Sequence, residues 1–390
     1  MEKTNTRLGN SWWVWSSNGF QTKGPSKDLL WTAVAELREQ FDTETGGFLG
    51  LSGERESGIL LFLLEYARRA EDEWAQAMAE VTLEFRTGPH DALLAYALLE
   101  AYAQTGRAGF RKTACAILDQ ALKELRLPDG AFARKEDKAV STLWNAQLIA
   151  ALAKASRVLA NRTYLQAARE AQAFLRTRLT RSGGWLWRRW QFQAPMEEGR
   201  LADYGFYCWA LAELYEADFS VSILREAEVL ADRMSEVFRD PRGGFYDFDA
   251  AVGSGAAGLA LSKLAGLTAI ERYHDMAQEQ MAWLADAETP DGLALLGMVE
   301  ELWPRQELVC VSAKRPPAWL AVVGEEYRMA VLAKTPDNEQ RLENAVPFLR
   351  EFPIPEDGYR LYLCRNGVCE AEAENLLQLY RNLSPEGAAV

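Results

Sequence analysis

The sequence predicts an all-α (α/α)6 toroid, a closed ring of six helical hairpins over residues 27–303. An N-terminal arm (1–26) precedes it and a small α/β appendage (304–390) follows it. Three features lead there. A glycine-marked corner recurs six times, two helical hydrophobic patterns alternate between the corners, and the pattern changes after Pro304.

The first corner is Asp42-Thr43-Glu44-Thr45-Gly46-Gly47-Phe48. Relatives of it stand at Thr87-Gly88-Pro89-His90, Pro128-Asp129-Gly130-Ala131-Phe132, Ser182-Gly183-Gly184-Trp185, Pro241-Arg242-Gly243-Gly244-Phe245 and Pro290-Asp291-Gly292-Leu293. Each follows an amphipathic helical pattern and precedes a more apolar, Ala-rich one. Glycine fits there because helices commonly close through a left-handed residue, which glycine adopts cheaply. In four of the six an aromatic follows the glycine within two residues, placed to pack back on the rim.

Outer helices show a single apolar stripe at helical spacing: Trp74, Met78, Val81 and Phe85; Tyr164, Ala168, Ala171 and Leu175; Ala227, Ala231, Met234 and Phe238. Inner helices are apolar or small nearly all round, at 58–64, 91–102, 143–153, 204–214 and 252–264. A helix apolar on every side is buried on every side. The order outer, corner, inner runs six times, over 27–69, 71–104, 107–160, 162–217, 219–266 and 269–302. One hairpin per repeat fits an α-solenoid or a closed toroid. The count of six and the lack of polar capping repeats favour closure, with an open solenoid as the alternative.

Closure gathers the outer-to-inner corners at one end, beside the N-termini of the inner helices. Unpaired N–H groups and the helix dipole there suit anions and hydroxyls. The longest connections, 126–140 and 180–202, fall at the same end, so the ligand mouth is expected there. Beyond Pro304, Glu307 to Val311 and Met329 to Leu332 read as strands around a helix near 317–327. Tyr359 to Cys364 and Val368 onward read as a hairpin turning through Asn366-Gly367, and a helix over 371–382 closes the chain.

A chain of 390 residues that is 48% hydrophobic can bury a large core. Its net charge of −13 argues against a nucleic-acid surface. Five Cys without a Cys-x-x-Cys pair fit a reducing compartment. Cys364 and Cys369 face each other in the hairpin and read as packed thiols, with a reversible disulfide or half of a metal site as the alternatives. The Trp-rich, polar N-terminus lacks a signal-peptide core, and no 18-residue apolar run exists, so a cytoplasmic protein without a membrane span is expected. With His90 and His274 as the two histidines, neither a metal site nor paired-histidine proton transfer is expected, and no cofactor is expected.

Several stretches are familiar in order: Asn145-Ala-Gln-Leu-Ile-Ala-Ala-Leu-Ala-Lys154, Asp203-Tyr204 running to Glu213-Leu-Tyr-Glu-Ala217, Gly243-Gly-Phe-Tyr246 and Tyr362-Leu-Cys-Arg-Asn-Gly-Val-Cys369. Over about residues 30 to 385 the chain resembles the thioredoxin-domain-containing proteins related to the spermatogenesis-associated thioredoxin-like proteins. The match is to their large C-terminal part, which implies a toroid of the six-hairpin glycosidase type. The family's thioredoxin-like domain has no counterpart here, so no redox role carries over. A Lys-x-Leu-Thr-Ser-Trp-Asn-Gly motif falls on 139–146, where Thr142, Trp144 and Asn145 survive while Ala139 and Ala146 replace its ends. An Asp-Asp-Tyr motif is reduced to Ala202-Asp203-Tyr204, and Asp-Gly-Ala-x-Pro-Ser-Gly-Asn falls on 249–256 with Ala250, Gly253 and Ala256 substituted.

Glycan chemistry needs two carboxyl groups across a sugar site, one with a raised pKa. The candidates are Asp203, Asp137 and Asp91, with Asp203 foremost because it opens an apolar inner helix and is retained from the family motif. Asp203 and Asp91 read equally as helix N-caps. Ligand-binding candidates are Trp144, Asn145, Trp187, Tyr204, Tyr207 and Arg188: aromatics stack on sugar faces, and Arg188 beside the tryptophans suits an acidic group. Rim packing and a solvated loop are the plainer readings of these residues. The expected function is a carbohydrate-type pocket binding a small molecule or oligosaccharide, acting as a glycan hydrolase or lyase. The alternative is a non-catalytic binding or scaffolding protein.

Overall fold

The computed structural model describes residues 24–88, 90–136, 138–241, 243–247, 253–286 and 290–383, with the backbone alone at 5–8, 11–16, 19–21, 251 and 252. The N-terminal arm runs as an antiparallel meander, β1 (Asn5–Leu8), β2 (Ser11–Ser16) and β3 (Gly19–Gln21). Six outer–inner pairs follow. They are α1 (Lys27–Gln40) and α2 (Glu54–Ala70), α3 (Glu73–Phe85) and α4 (Ala92–Thr105), α5 (Ala108–Glu124) and α6 (Thr142–Val158). Then come α7 (Arg162–Phe174) and α8 (Leu201–Asp218), α9 (Val221–Phe238) and α10 (Ala251–Thr268), α11 (Glu271–Ala285) and α12 (Gly292–Leu302). Each inner helix packs on the next and α12 packs on α2, so the ring is closed.

The two hydrophobic patterns do what their periodicities require. Inner α8 is buried on every side, with Phe206, Tyr207, Trp209, Leu211, Leu214 and Tyr215 all in the core. Outer α9 buries one stripe, Leu224, Ala227, Leu230, Ala231 and Met234, and leaves Arg225 and Arg233 on other faces. Each fully buried large apolar side chain contributes about 1.5–3 kcal/mol.

The inner helices start at one common end. Asp203 of α8 accepts the Leu143 N–H of α6 at 3.2 Å. Gly253 of α10 lies against Ala202 of α8, and Gly292 of α12 lies against Gly58 of α2. A Cβ on Gly292 would stand 2.1 Å from the Gly58 carbonyl carbon, so the closing seam admits no side chain there.

Four corners share a geometry in which short antiparallel bridges join Phe41 to Phe48, Arg126 to Phe132, Thr180 to Leu186 and Arg239 to Phe245. The corners at 87–90 and 290–293 depart from the expectation, because neither Gly88 nor Gly292 takes a left-handed φ. Their helices begin instead at the caps Asp91 and Asp291, and Gly292 serves close helix approach.

The two long corner connections pair into a small antiparallel sheet, β4 (Val140–Ser141), β5 (Trp187–Gln191) and β6 (Ala194–Glu198). The stretch around Arg188 is therefore a strand and not a loop. In the appendage, β7 (Glu307–Ser312), α13 (Leu320–Glu326) and β8 (Ala330–Lys334) form a parallel crossover unit. The hairpin β9 (Tyr359–Arg365) and β10 (Val368–Ala373) completes a sheet of order β10-β9-β7-β8. Asn366 and Gly367 both take positive φ, 51° and 75°, as a type I′ turn demands, and Cys364 pairs directly with Cys369.

Three appendage elements differ from the reading of the sequence. Helix α14 (Glu339–Ala345) and the turn Pro347–Glu351 were not expected. Helix α15 (Leu376–Leu383) starts later than position 371 because β10 stays paired with β9 through Ala373, across a register shift between Cys369 and Ala371. The appendage sheet packs on α8 and α10 through β8, and α13 packs on α6.

Candidate functional site

The mouth is built from the first turns of the inner helices. Asp91 caps α4, its Oδ1 accepting the Leu94 N–H at 2.9 Å. Next to it, Glu54 opens α2. Glu54 stays open to solvent although protein surrounds it, as a group on the wall of a concavity does. Burial pushes its carboxyl above the ordinary range and the Asp91 charge pushes it further, while the Gln147 side chain and Arg134 oppose both. Asp91 is raised as well, chiefly by burial. Gln147 belongs to α6, two inner helices from α2, so this grouping reaches across the ring. Its side chain is buried and turned toward Glu54.

Asp291 stands on the other flank of Glu54, at the N-cap of α12, where its Oδ1 accepts the Ala294 N–H at 2.9 Å. Burial pushes it up to about 7, and Arg55 of α2 opposes this. Its Oδ2 is buried without a hydrogen-bond partner. Gly255 of α10 makes room for this carboxyl, since a Cβ there would stand 2.2 Å from Oδ1. Along consecutive helices α12, α2 and α4 the mouth thus presents Asp291, Arg55, Glu54 and Asp91.

Asp203 faces a different environment. It is only 2% exposed. Oδ2 accepts the Arg200 N–H at 2.9 Å and Oδ1 accepts the Leu143 N–H at 3.2 Å, so the carboxyl stitches the start of α8 to the start of α6. Burial pushes it up to about 7 against these bonds and the nearby Arg188 charge. It acts as a cap. Asp137 lies outside the described residues.

Three of the expected ligand contacts are committed elsewhere. Asn145 is fully buried and holds the 128–132 corner on α6, accepting the Phe132 N–H and donating to the Phe132 and Ser141 carbonyls at 2.8, 2.9 and 2.9 Å. Tyr204 and Tyr207 point outward, away from the mouth. The Tyr204 hydroxyl accepts the Leu186 N–H and its ring meets Phe238, while the Tyr207 hydroxyl donates to Glu226 on α9 at 2.5 Å. Trp144 packs in the core. Trp187 is partly open on β5, but the Arg181 guanidinium stacks over it at 4.3 Å, and Arg188 beside it pairs loosely with Glu197 at 3.7 Å.

The sequence reading missed Glu54, Arg134, Gln147 and Asp291. Asp291 was visible as the residue before Gly292 in a corner, yet it was read as turn chemistry.

The opposite end of the ring is closed by charge. Glu65, Glu100, Lys154, Arg157 and Glu213, from the last turns of inner helices, meet Glu325 and Arg328 of the appendage around a cavity of about 40 Å³. Lys154 pairs with Glu100 and Glu325, Arg157 with Glu213 at 2.5 Å and Glu325 at 3.0 Å, and Arg328 with Glu65 at 2.6 Å and Glu100 at 2.7 Å. Burial opposes the charge on Glu325, yet Lys154, Arg157 and Arg328 outweigh it and hold the carboxyl well below its usual range.

No protein-family model matches the sequence, and no curated protein sequence does. Solved structures do. An unsaturated glucuronyl hydrolase from a Bacillus species shares 14% identity over 70% of this chain and 94% of its own, with a TM-score of 0.58. An inactive variant of an α-1,6-mannanase from a Salegentibacter species, bound to α-1,6-mannotetrose, shares 14% identity over 70% and 97%, at 0.59. A family 105 glycoside hydrolase from C. acetobutylicum shares 12% identity over 70% and 98%, at 0.59. The fold is therefore the six-hairpin glycosidase fold. Among the described residues no helix is long and apolar enough to cross a membrane, and no group of three or more His, Cys, Asp or Glu is placed to hold a metal ion.

Proposed function

We propose that the mouth binds a glycan and carries acid–base chemistry on it, with Glu54 as proton donor and Asp91 as its partner carboxylate. One observation carries this reading. The Asp91 carboxylate on the adjacent inner helix acts on Glu54, and burial and this repulsion keep Glu54 toward its protonated form while it stays open to solvent. A raised carboxyl beside a second one is what protonation of a glycosidic oxygen requires. The glycan hydrolases that share the fold support an oligosaccharide as the ligand class. The motif resemblance supports descent from the toroid part of the thioredoxin-domain-containing family, and the cysteine pattern supports a cytoplasmic setting.

The test is turnover and binding of an oligosaccharide panel that includes α-1,6-mannotriose and unsaturated uronyl disaccharides. Glu54→Gln is expected to lower kcat by about 10²–10⁴-fold with a smaller change in binding. Asp91→Asn should lower it too. Absence of binding across the panel ends this reading. Asp203 favours a second reading, a binding protein without turnover, since the carboxyl retained from the family motif is consumed as a cap. Binding without turnover, unchanged in kind by Glu54→Gln, selects it.

A further inference from the structure

The geometry points to a second ligand site, away from the mouth, for the phosphate group of a small molecule. A cleft of about 260 Å³ opens where the turn between α8 and α9 meets the appendage. The appendage lines it with Lys314 and Arg315 after β7, Thr335 and Asp337 after β8, and Arg341 on α14. Strands β7 and β8 are parallel, and crevices at the carboxyl ends of parallel strands are where open α/β sheets take ligands. The ring contributes the start of the 18-residue helix α9, Ser220 to Ser222. The first N–H groups of such a helix have no intrahelical partner and carry the positive end of its dipole. Ser220, the N-cap, makes no capping hydrogen bond to them.

The charge of the cleft agrees with an anion. Among the described residues Arg315 pairs with no carboxylate, Arg341 donates to the Asp337 carbonyl at 3.0 Å, and Lys314 has Asp357 4.0 Å away. Of the two carboxylates that line the cleft, Asp218 is answered by Arg169, which leaves Asp337. The cleft therefore keeps an excess of positive charge in a chain whose net charge is −13. An independent feature points to a ligand. Thr335 is 7% exposed and lines the cleft. Its backbone is committed, the N–H donating to Asn338 Oδ1 at 2.8 Å and the carbonyl accepting the Asn338 and Glu339 N–H groups at 3.1 and 2.9 Å. Its hydroxyl makes no hydrogen bond among the described residues and is left to the cleft. Phosphate oxygens accept from guanidinium, ammonium, backbone N–H and hydroxyl donors alike.

The probes are glycerol 3-phosphate and inorganic phosphate, titrated calorimetrically into the full chain at constant ionic strength, with glycerol and malonate as controls. Saturable binding of the phosphates is expected, without binding of glycerol. Tighter binding of the ester assigns an organic phosphate, and equal binding assigns phosphate itself. Arg315→Gln and Arg341→Gln should each weaken binding about tenfold, and Thr335→Val about threefold. Arg111→Gln, at an exposed position of α5 outside the cleft, should leave it unchanged. Circular dichroism checks that the variants fold. The assignment is overturned by no saturable binding, by equal binding of malonate, by a loss of equal size in Arg111→Gln, or by affinity unchanged in any of the three folded cleft variants.

Discussion

Asp203 joins two helices through one carboxyl, and the same burial that makes this useful makes its charge costly. Its pKa stands at about 7 in the folded chain against an ordinary value of 3.8. The folded state then holds a proton that the unfolded state has released. The contribution of this group to stability is present below about pH 4 and is lost as pH rises to about 7. Asp203→Asn removes that dependence. Melting temperatures measured from pH 4 to 8 should show the parent losing stability relative to the variant as pH rises through this window, and a constant difference would contradict the assignment. At this scale the sequence was a mixed guide. Asp203 was legible as a helix opener but not as acid or cap, because the choice depends on the Leu143 N–H, 60 residues away. Glu54 was passed over because the all-round apolar pattern of α2 starts at Gly58, so the polar first turn of the helix read as corner.

At the scale of elements, the alternation of helical patterns gave the ring directly, since period and hydrophobicity are local properties. The β5–β6 hairpin was invisible. Its turn is Phe192-Gln193, both left-handed at φ 52° and 61°, with neither the glycine nor the asparagine that signals such a turn. The closing seam was half visible. Gly292 was marked in the sequence, but as a turn glycine, whereas its role is to let α12 touch α2 at Gly58. Gly292→Ala should destabilise the fold by about 1–3 kcal/mol or more through overpacking. Urea unfolding reads this, and an unchanged midpoint would mean that the seam has slack.

For the whole molecule, the appendage and the ring are held together by buried ions. Glu325 sits between Lys154, Arg157 and Arg328, so Glu325→Ala takes one carboxylate from three cations at once and leaves the buried cluster with an excess of positive charge. The expected loss is about 3–5 kcal/mol, since breaking a buried pair leaves uncompensated charge. The parent chain should unfold in one cooperative step. Two separate transitions, with the appendage melting first at little cost to the ring, would contradict this coupling. Nothing in the sequence announced it, because the partners across this joint lie 168 to 263 positions apart.

That ionic stopper fixes the traffic through the ring. A barrel closed at its far end has a single door, so a ligand leaves by the way it came and no polymer threads through. Under the proposed function a long glycan would therefore be met by its terminus.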